Sequence, residues 1–159
     1  RVYGSSDVVG VELAGALKNV IALGAGFCDG LGIGDNAKGA LITRGLAEMS
    51  RLGIAMGAQQ ITFSGLACIG DIIATCSSSL SRNHYVGQQL ALGESLHDIT
   101  ESMDNVAEGI NSTMAAKEIS LNLGVEMPIV DVTYRVLFEG LHPNIAVSAL
   151  RERPIRSEW

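Results

Sequence analysis

Between Val8 and Cys28 the chain runs for twenty-one residues with only two charges, Glu12 and Lys18. A stretch of that length and polarity belongs either in a bilayer or in the middle of a helical protein. Each charge would cost about 2.5–3.5 kcal/mol at mid-bilayer, which favours a buried helix. Gly10, Ala14, Gly15 and Ala22 stud the run, and small residues let neighbouring helices approach closely, so it is expected to be a central helix covered on most sides. Ser5, Ser6 and Asp7 supply N-cap chemistry. Lys18 and Asn19 fall in its middle. A lysine there either extends its stem to the rim or is held beside a carboxylate for a purpose.

The central helix is expected to end at Gly24-Ala25-Gly26, with Cys28 to Asn36 forming a glycine-punctuated turn. That turn resembles a dinucleotide loop only superficially, since no strand pattern precedes it and no acidic residue closes a second strand. Asn36 caps a helix to Gly57 with Ile42, Leu46, Met49, Leu52 and Met56 inward and Arg44, Glu48 and Arg51 on a polar stripe. A further helix starts at Thr62 or Ser64 and ends in Ser77-Ser78-Ser79. Ser81 opens a helix to about Leu92, stopped by Gly93, and Ser95 caps a short one bearing Leu96, Ile99 and Met103. The next runs from about Asn111 to Leu123, with Ala115, Ile119 and Leu123 on one face and Gly124 behind it. Pro128 starts another with Ile129, Val132 and Val136 inward, and Asn144 caps a last one to Leu150. Strand-like alternation is almost absent. The 47% hydrophobic and 4% aromatic composition gives a core of Ala, Leu, Ile and Val, which suits close helix packing. The fold class is therefore all-α, one domain over residues 7–150 with about seven or eight helices, and 151–159 as a flexible tail.

Net charge of −6 argues against a nucleic-acid or anionic-membrane surface, so an anionic ligand needs a local basic site. Cys28, Cys68 and Cys76 are odd in number and lack CxxC spacing, which disfavours a disulfide scaffold or zinc site and fits a reducing compartment, the cytoplasm. His84, His97 and His142 have no metal-ligand spacing and read as surface or core residues. No signal-peptide pattern opens the chain.

Gly65 to Asn83 concentrates the chemistry. On a helix Asp71 and Thr75 lie one turn apart and share a face, with Leu66, Ile69 and Ile73 turned to the core. Ser81-Arg82-Asn83 at a helix start offers free N–H groups, the positive dipole end and a forked guanidinium to an anion. Carboxylate and hydroxyl for a hydroxylated carbon, with Arg and Asn for a phosphate, suit a small phosphorylated polyol or ketone.

GVELAGALKNVIALGAGFCDGLG, NAKGALITRGLAEMSRLG, GLACIGDIIATC, LSRN, VAEG and GVEMPI together resemble the C-terminal domain of NAD(P)-dependent glycerol-3-phosphate dehydrogenases. The resemblance runs from Asp7 to about Leu150 and implies a multi-helix domain like the C-terminal domain of 6-phosphogluconate dehydrogenase. It further implies that the N-terminal Rossmann domain is absent, with residues 1–6 a remnant of its end. Lys18 matches the family's acid/base; Asn19, Asp71, Thr75, Ser81, Arg82 and Asn83 match substrate-binding positions, and Arg82, Val106 and Glu108 match positions lining the NAD or NADP cofactor. A homodimer is the family's usual assembly. Ketone reduction needs a proton source at the oxygen, a role open to a lysine with its pKa tuned by burial and neighbouring charge. Two other readings stay open: an inactive helical oligomerisation or substrate-binding module, and a related β-hydroxyacid dehydrogenase domain.

Overall fold

The computed structural model describes residues 1–153. These form eight α-helices and no strand: α1 (Val8–Gly30), α2 (Asp35–Ala55), α3 (Asp71–Ser77), α4 (Arg82–Leu92), α5 (Leu96–Glu101), α6 (Gly109–Leu123), α7 (Pro128–Phe138) and α8 (Pro143–Arg151). Asp7 caps α1, its carboxylate accepting the Gly10 N–H at 3.0 Å. Every residue from Asn19 to Cys28 is buried, and α2, α3, α4, α6 and α7 all pack on α1. By length and composition α1 could cross a membrane, yet 56% of its apolar window is buried inside the protein and Glu12 points to solvent. Ile21 and Leu23 on α1, Leu52 on α2 and Ile129 on α7 are fully buried, each contributing about 1.5–3 kcal/mol.

The central helix does not stop at Gly24-Ala25-Gly26. It continues to Gly30, because these glycines are packing positions and not a terminus. A Cβ on Gly26 would sit 2.1 Å from the His84 carbonyl oxygen, one on Gly30 2.6 Å from the Ala91 Cβ, and one on Gly87 2.0 Å from the Leu23 carbonyl oxygen. Contacts advance together along both helices, Asn19 with Asn83, Gly26 with Gly87 and Gly30 with Ala91, so α1 and α4 run parallel at backbone contact.

Three further expectations are corrected. Glu48 does not lie on an outward polar stripe with Arg44 and Arg51; it is 3% exposed and accepts the N–H groups of Ile129 (2.9 and 3.0 Å) and Val130 (3.4 Å) at the start of α7. The helix expected from Thr62 or Ser64 is instead a 3₁₀ turn (Gln60–Ser64), a π turn (Leu66–Gly70) and α3. The wide π turn shifts the buried stripe to Cys68, Ile72 and Cys76, leaving Leu66 and Ile73 exposed. On α6 Ile119 packs against the core as expected, but Ala115 and Leu123 are exposed, and the buried positions are the small residues Gly109, Thr113, Ala116 and Ser120 on the side close to α1. Thr113 Oγ1 donates to the Gly109 carbonyl and Ser120 Oγ to that of Lys117, which removes the cost of burying them.

Asn36 does not cap α2, since it lies inside the helix and Gly34 at φ +86° takes the cap position without a side-chain hydrogen bond, but other caps fall where their chemistry points. Ser81 accepts the His84 N–H, Ser95 that of Asp98, and Gly93 and Gly124 end α4 and α6 at φ +99° and +65°. At α8 the cap is His142, whose Nδ1 accepts the Asn144 N–H, because Pro143 takes the first helical position. The three cysteines are buried, and burial pushes the Cys76 thiol up to about 12, leaving it inert. The expected flexible tail lies from residue 154 onwards outside the described residues.

Candidate functional site

The buried second half of α1 fixes where its polar residues emerge. Lys18 leaves the helix just before that buried run, and its ammonium donates to Asp71 Oδ2 at the start of α3, fifty-three residues away. Thr75, one turn further on α3, donates to the other carboxylate oxygen at 3.3 Å. The lysine side chain is 22% exposed and the aspartate 41%, so the pair opens to solvent on one side. An ammonium held this way can give a proton to an oxygen arriving from that side, while the carboxylate balances its charge.

Asn19, the next residue on α1, turns to α4. Its Oδ1 accepts from Asn83 Nδ2 at 2.9 Å, and Asn83 Oδ1 accepts the Gly109 N–H at 2.8 Å. The backbone donor fixes the orientation of the Asn83 amide, and with it the Asn19 contact. α1, α4 and α6 are thereby joined at one point by residues 7–8% exposed. Ser81 is committed to capping α4. Arg82 is exposed, and among the described residues its guanidinium has no hydrogen-bond or ion-pair partner. As the first helical residues of α4, Arg82 and Asn83 carry N–H groups without an intrahelical acceptor.

The structure thus joins Lys18, Asp71 and Thr75 in one cluster and Asn19 and Asn83 in a second, linked through adjacent residues of α1. No side-chain contact draws Arg82, Val106 or Glu108 into either. Val106, 66% exposed, lines a hollow of about 160 Å³ beside α5, and Glu108 is exposed immediately before Gly109. A larger hollow of about 320 Å³ lies between the end of α6 and the start of α7. None of these residues lines it, and its charges are paired, Lys117 with Asp131 and Arg153 with Glu126, so the chemistry points to the Lys18 cluster instead.

One cluster escaped sequence reasoning. Asp29, near the end of α1, takes both carboxylate oxygens to Lys38 Nζ at 2.9 Å and contacts His84 Nε2 at 2.7 Å. Burial works against its charge, but Lys38 and His84 prevail and hold the Asp29 carboxyl below its usual range. Asp29 was hidden by its place in an apparent glycine loop; i,i+9 spacing to Lys38 was the only available signal.

Comparison with known proteins shows the family. Residues 7–148 match the family described as NAD-dependent glycerol-3-phosphate dehydrogenase C-terminus. Glycerol-3-phosphate dehydrogenase [NAD(P)+] of Geobacillus thermodenitrificans is 56% identical over 158 residues, covering 99% of this chain and 46% of the relative. The corresponding protein of Dehalococcoides mccartyi strain 195 is 56% identical over 93% of this chain and 41% of its own length. The crystal structure of glycerol-3-phosphate dehydrogenase from Coxiella burnetii superposes with a TM-score of 0.93 at 40% identity, covering 96% of this chain and 47% of that one. That of Saccharomyces cerevisiae gives 0.82 at 28% identity, covering 92% and 43%. The chain spans about half the length of the curated relatives it matches. By the match over residues 7–148, the chain belongs to the family of NAD-dependent glycerol-3-phosphate dehydrogenase C-terminal domains.

Proposed function

We propose that this chain is the substrate-gripping part of a glycerol-3-phosphate dehydrogenase, which interconverts sn-glycerol 3-phosphate and dihydroxyacetone phosphate with NAD or NADP. The observation that carries the proposal is the Lys18, Asp71 and Thr75 cluster, joined through Asn19 to a helix start bearing an unpaired arginine. Lys18 donates a proton to the carbonyl oxygen during reduction and takes it back during oxidation. Asp71 holds the ammonium at that position, and Thr75 orients Asp71. Arg82, with Ser81 and Asn83 at the start of α4, takes the phosphate, which fixes the reacting carbon relative to Lys18.

The nicotinamide supplies or accepts the hydride when bound. Arg82, Val106 and Glu108 fit its edge, since all three are exposed and Arg82, which has no ion-pair partner among the described residues, can face the nucleotide as well as the substrate phosphate. On this reading the rest of the nucleotide is held by the part of the enzyme that corresponds to the half of the curated relatives this chain does not span. We further assign the activity to the cytoplasm, the glycerol 3-phosphate it makes to phospholipid synthesis, and the assembly to a homodimer.

The test joins the chain to a nucleotide-binding half and follows NADH oxidation with dihydroxyacetone phosphate. Lys18→Ala is expected to lower kcat by about 10²–10⁴-fold, the usual size of a general-acid contribution, with circular dichroism unchanged. Near-normal turnover would sink the acid/base assignment. The chain by itself is expected to oxidise no NADH.

A further inference from the structure

The contacts between α1 and α4 are of two kinds. From the His84 carbonyl onwards α4 is locked by backbone contact, with Gly26, Gly30 and Gly87 at distances that leave no room for a Cβ. In its first turn, which carries Arg82 and Asn83, the side chains that reach other helices do so through polar groups: Asn83 to Asn19 and Gly109, and His84 to Asp29. We infer that His84, backed by Asp29 and Lys38, is a positioning residue for the phosphate end of the site, setting the first turn of α4 and through it the direction of Arg82.

Residues two apart on a helix project to nearly opposite sides. The burials agree, since His84 is 8% exposed and Arg82 lies in solvent. The contact from His84 to Asp29 therefore fixes the rotation of the turn that presents Arg82 outward and Asn83 towards Gly109. Asp29 is itself immobilised. Lys38 meets both of its oxygens and bridges the turn from α1 to α2, so His84 pulls against a fixed point shared by three helices. With side chains 10%, 17% and 28% exposed for His84, Lys38 and Asp29, the cluster is shielded from the screening that weakens surface pairs. The inference rests on the phosphate role proposed for Arg82, but the clamp can be measured without it.

Two readouts on the full chain test it: calorimetric titration with sn-glycerol 3-phosphate, and amide hydrogen exchange at Gly109, whose N–H is held by Asn83. His84→Ala is expected to weaken binding about tenfold, the size of one charge-assisted hydrogen bond, and to speed Gly109 exchange by a similar factor. His84→Gln, which returns an N–H donor near the Nε2 position, is expected to stay within about threefold of wild type in both. Asp29→Asn, which keeps the volume and removes the charge, is expected to behave like His84→Ala and serves in its place if that variant does not fold. The inference is overturned if His84→Ala and Asp29→Asn match wild type in both readouts, or if His84→Gln is no better than His84→Ala. Absence of binding by wild type would instead refute the phosphate role of Arg82, and Gly109 exchange would decide the clamp alone.

Discussion

A carboxylate under the first turn of a helix is stabilised by the dipole and by free N–H groups, and destabilised by removal from water. Glu48 experiences both. Pro128 has no N–H, so the first donors of α7 are Ile129 and Val130, and Glu48 accepts from both. Burial is the larger effect and pushes its carboxyl up from 4.5 to about 7, with the two N–H groups pulling it back. The folded state therefore prefers protonated Glu48. Its contribution is fully present below pH 4.5 and is lost as pH rises to about 7, with a magnitude of about 3 kcal/mol. Glu48→Gln keeps an acceptor for Ile129 and cannot ionise. Urea unfolding between pH 4.5 and 8 should show wild type losing stability with rising pH and Glu48→Gln nearly flat across the same range. Parallel profiles would mean that Glu48 is already ionised at pH 4.5.

Between elements, glycines decide which helices touch. Gly87→Ala would place a Cβ 2.0 Å from the Leu23 carbonyl oxygen, and a backbone atom cannot step aside as a flexible side chain can. The helices must separate, which costs about 1–3 kcal/mol or more. Gly39→Ala, in α2 with nothing within 4 Å of the added methyl, should stabilise by about 0.5–1 kcal/mol through helix propensity. Opposite signs in the midpoint of thermal unfolding would establish that packing, not helix propensity, fixes Gly87. The same glycines explain what was legible beforehand. Serine, glycine and proline at Ser81, Gly93, Ser95, Gly124 and Pro128 act on their own helix, so the bounds of α4, α5 and α7 could be read from the chain. Gly26 and Gly30 act on a neighbouring helix and look like terminators until that neighbour is known. The buried positions of α6 were not legible for a related reason, because close approach to α1 selects Thr113 and Ser120 there, while Ile119 packs at the edge of the core.

Over the whole molecule the site is assembled from distant segments, and that limited its legibility. Asp71 and Thr75 share a helix face by spacing alone, but Lys18 meets Asp71 across fifty-three residues and Asn83 reaches Gly109 across twenty-six. A chain-wide contact also sets stability at low pH. Asp7 caps α1 and simultaneously accepts the Thr62 hydroxyl and the N–H of Gln59, tying the first helix to the segment between α2 and α3. The Thr62 hydroxyl, then the N–H groups of Gln59 and Gly10, hold its carboxyl below 3.8. A lowered folded pKa means that this contribution is complete above the unfolded value and is lost as pH falls through the folded one. Asp29, also held low, adds to the same acid limb. With Glu48 weakening the fold above pH 4.5, the molecule should be most stable on the acid side of neutrality, at about pH 4–5. Asp7→Asn should lie below wild type throughout pH 5–7, with the gap closing as pH falls through the lowered folded pKa of Asp7. Unfolding midpoints of the two proteins measured from pH 7 down into the acid limb check this, and an offset that does not shrink at all below pH 3.8 would show that Asp7 acts through its shape and not its charge.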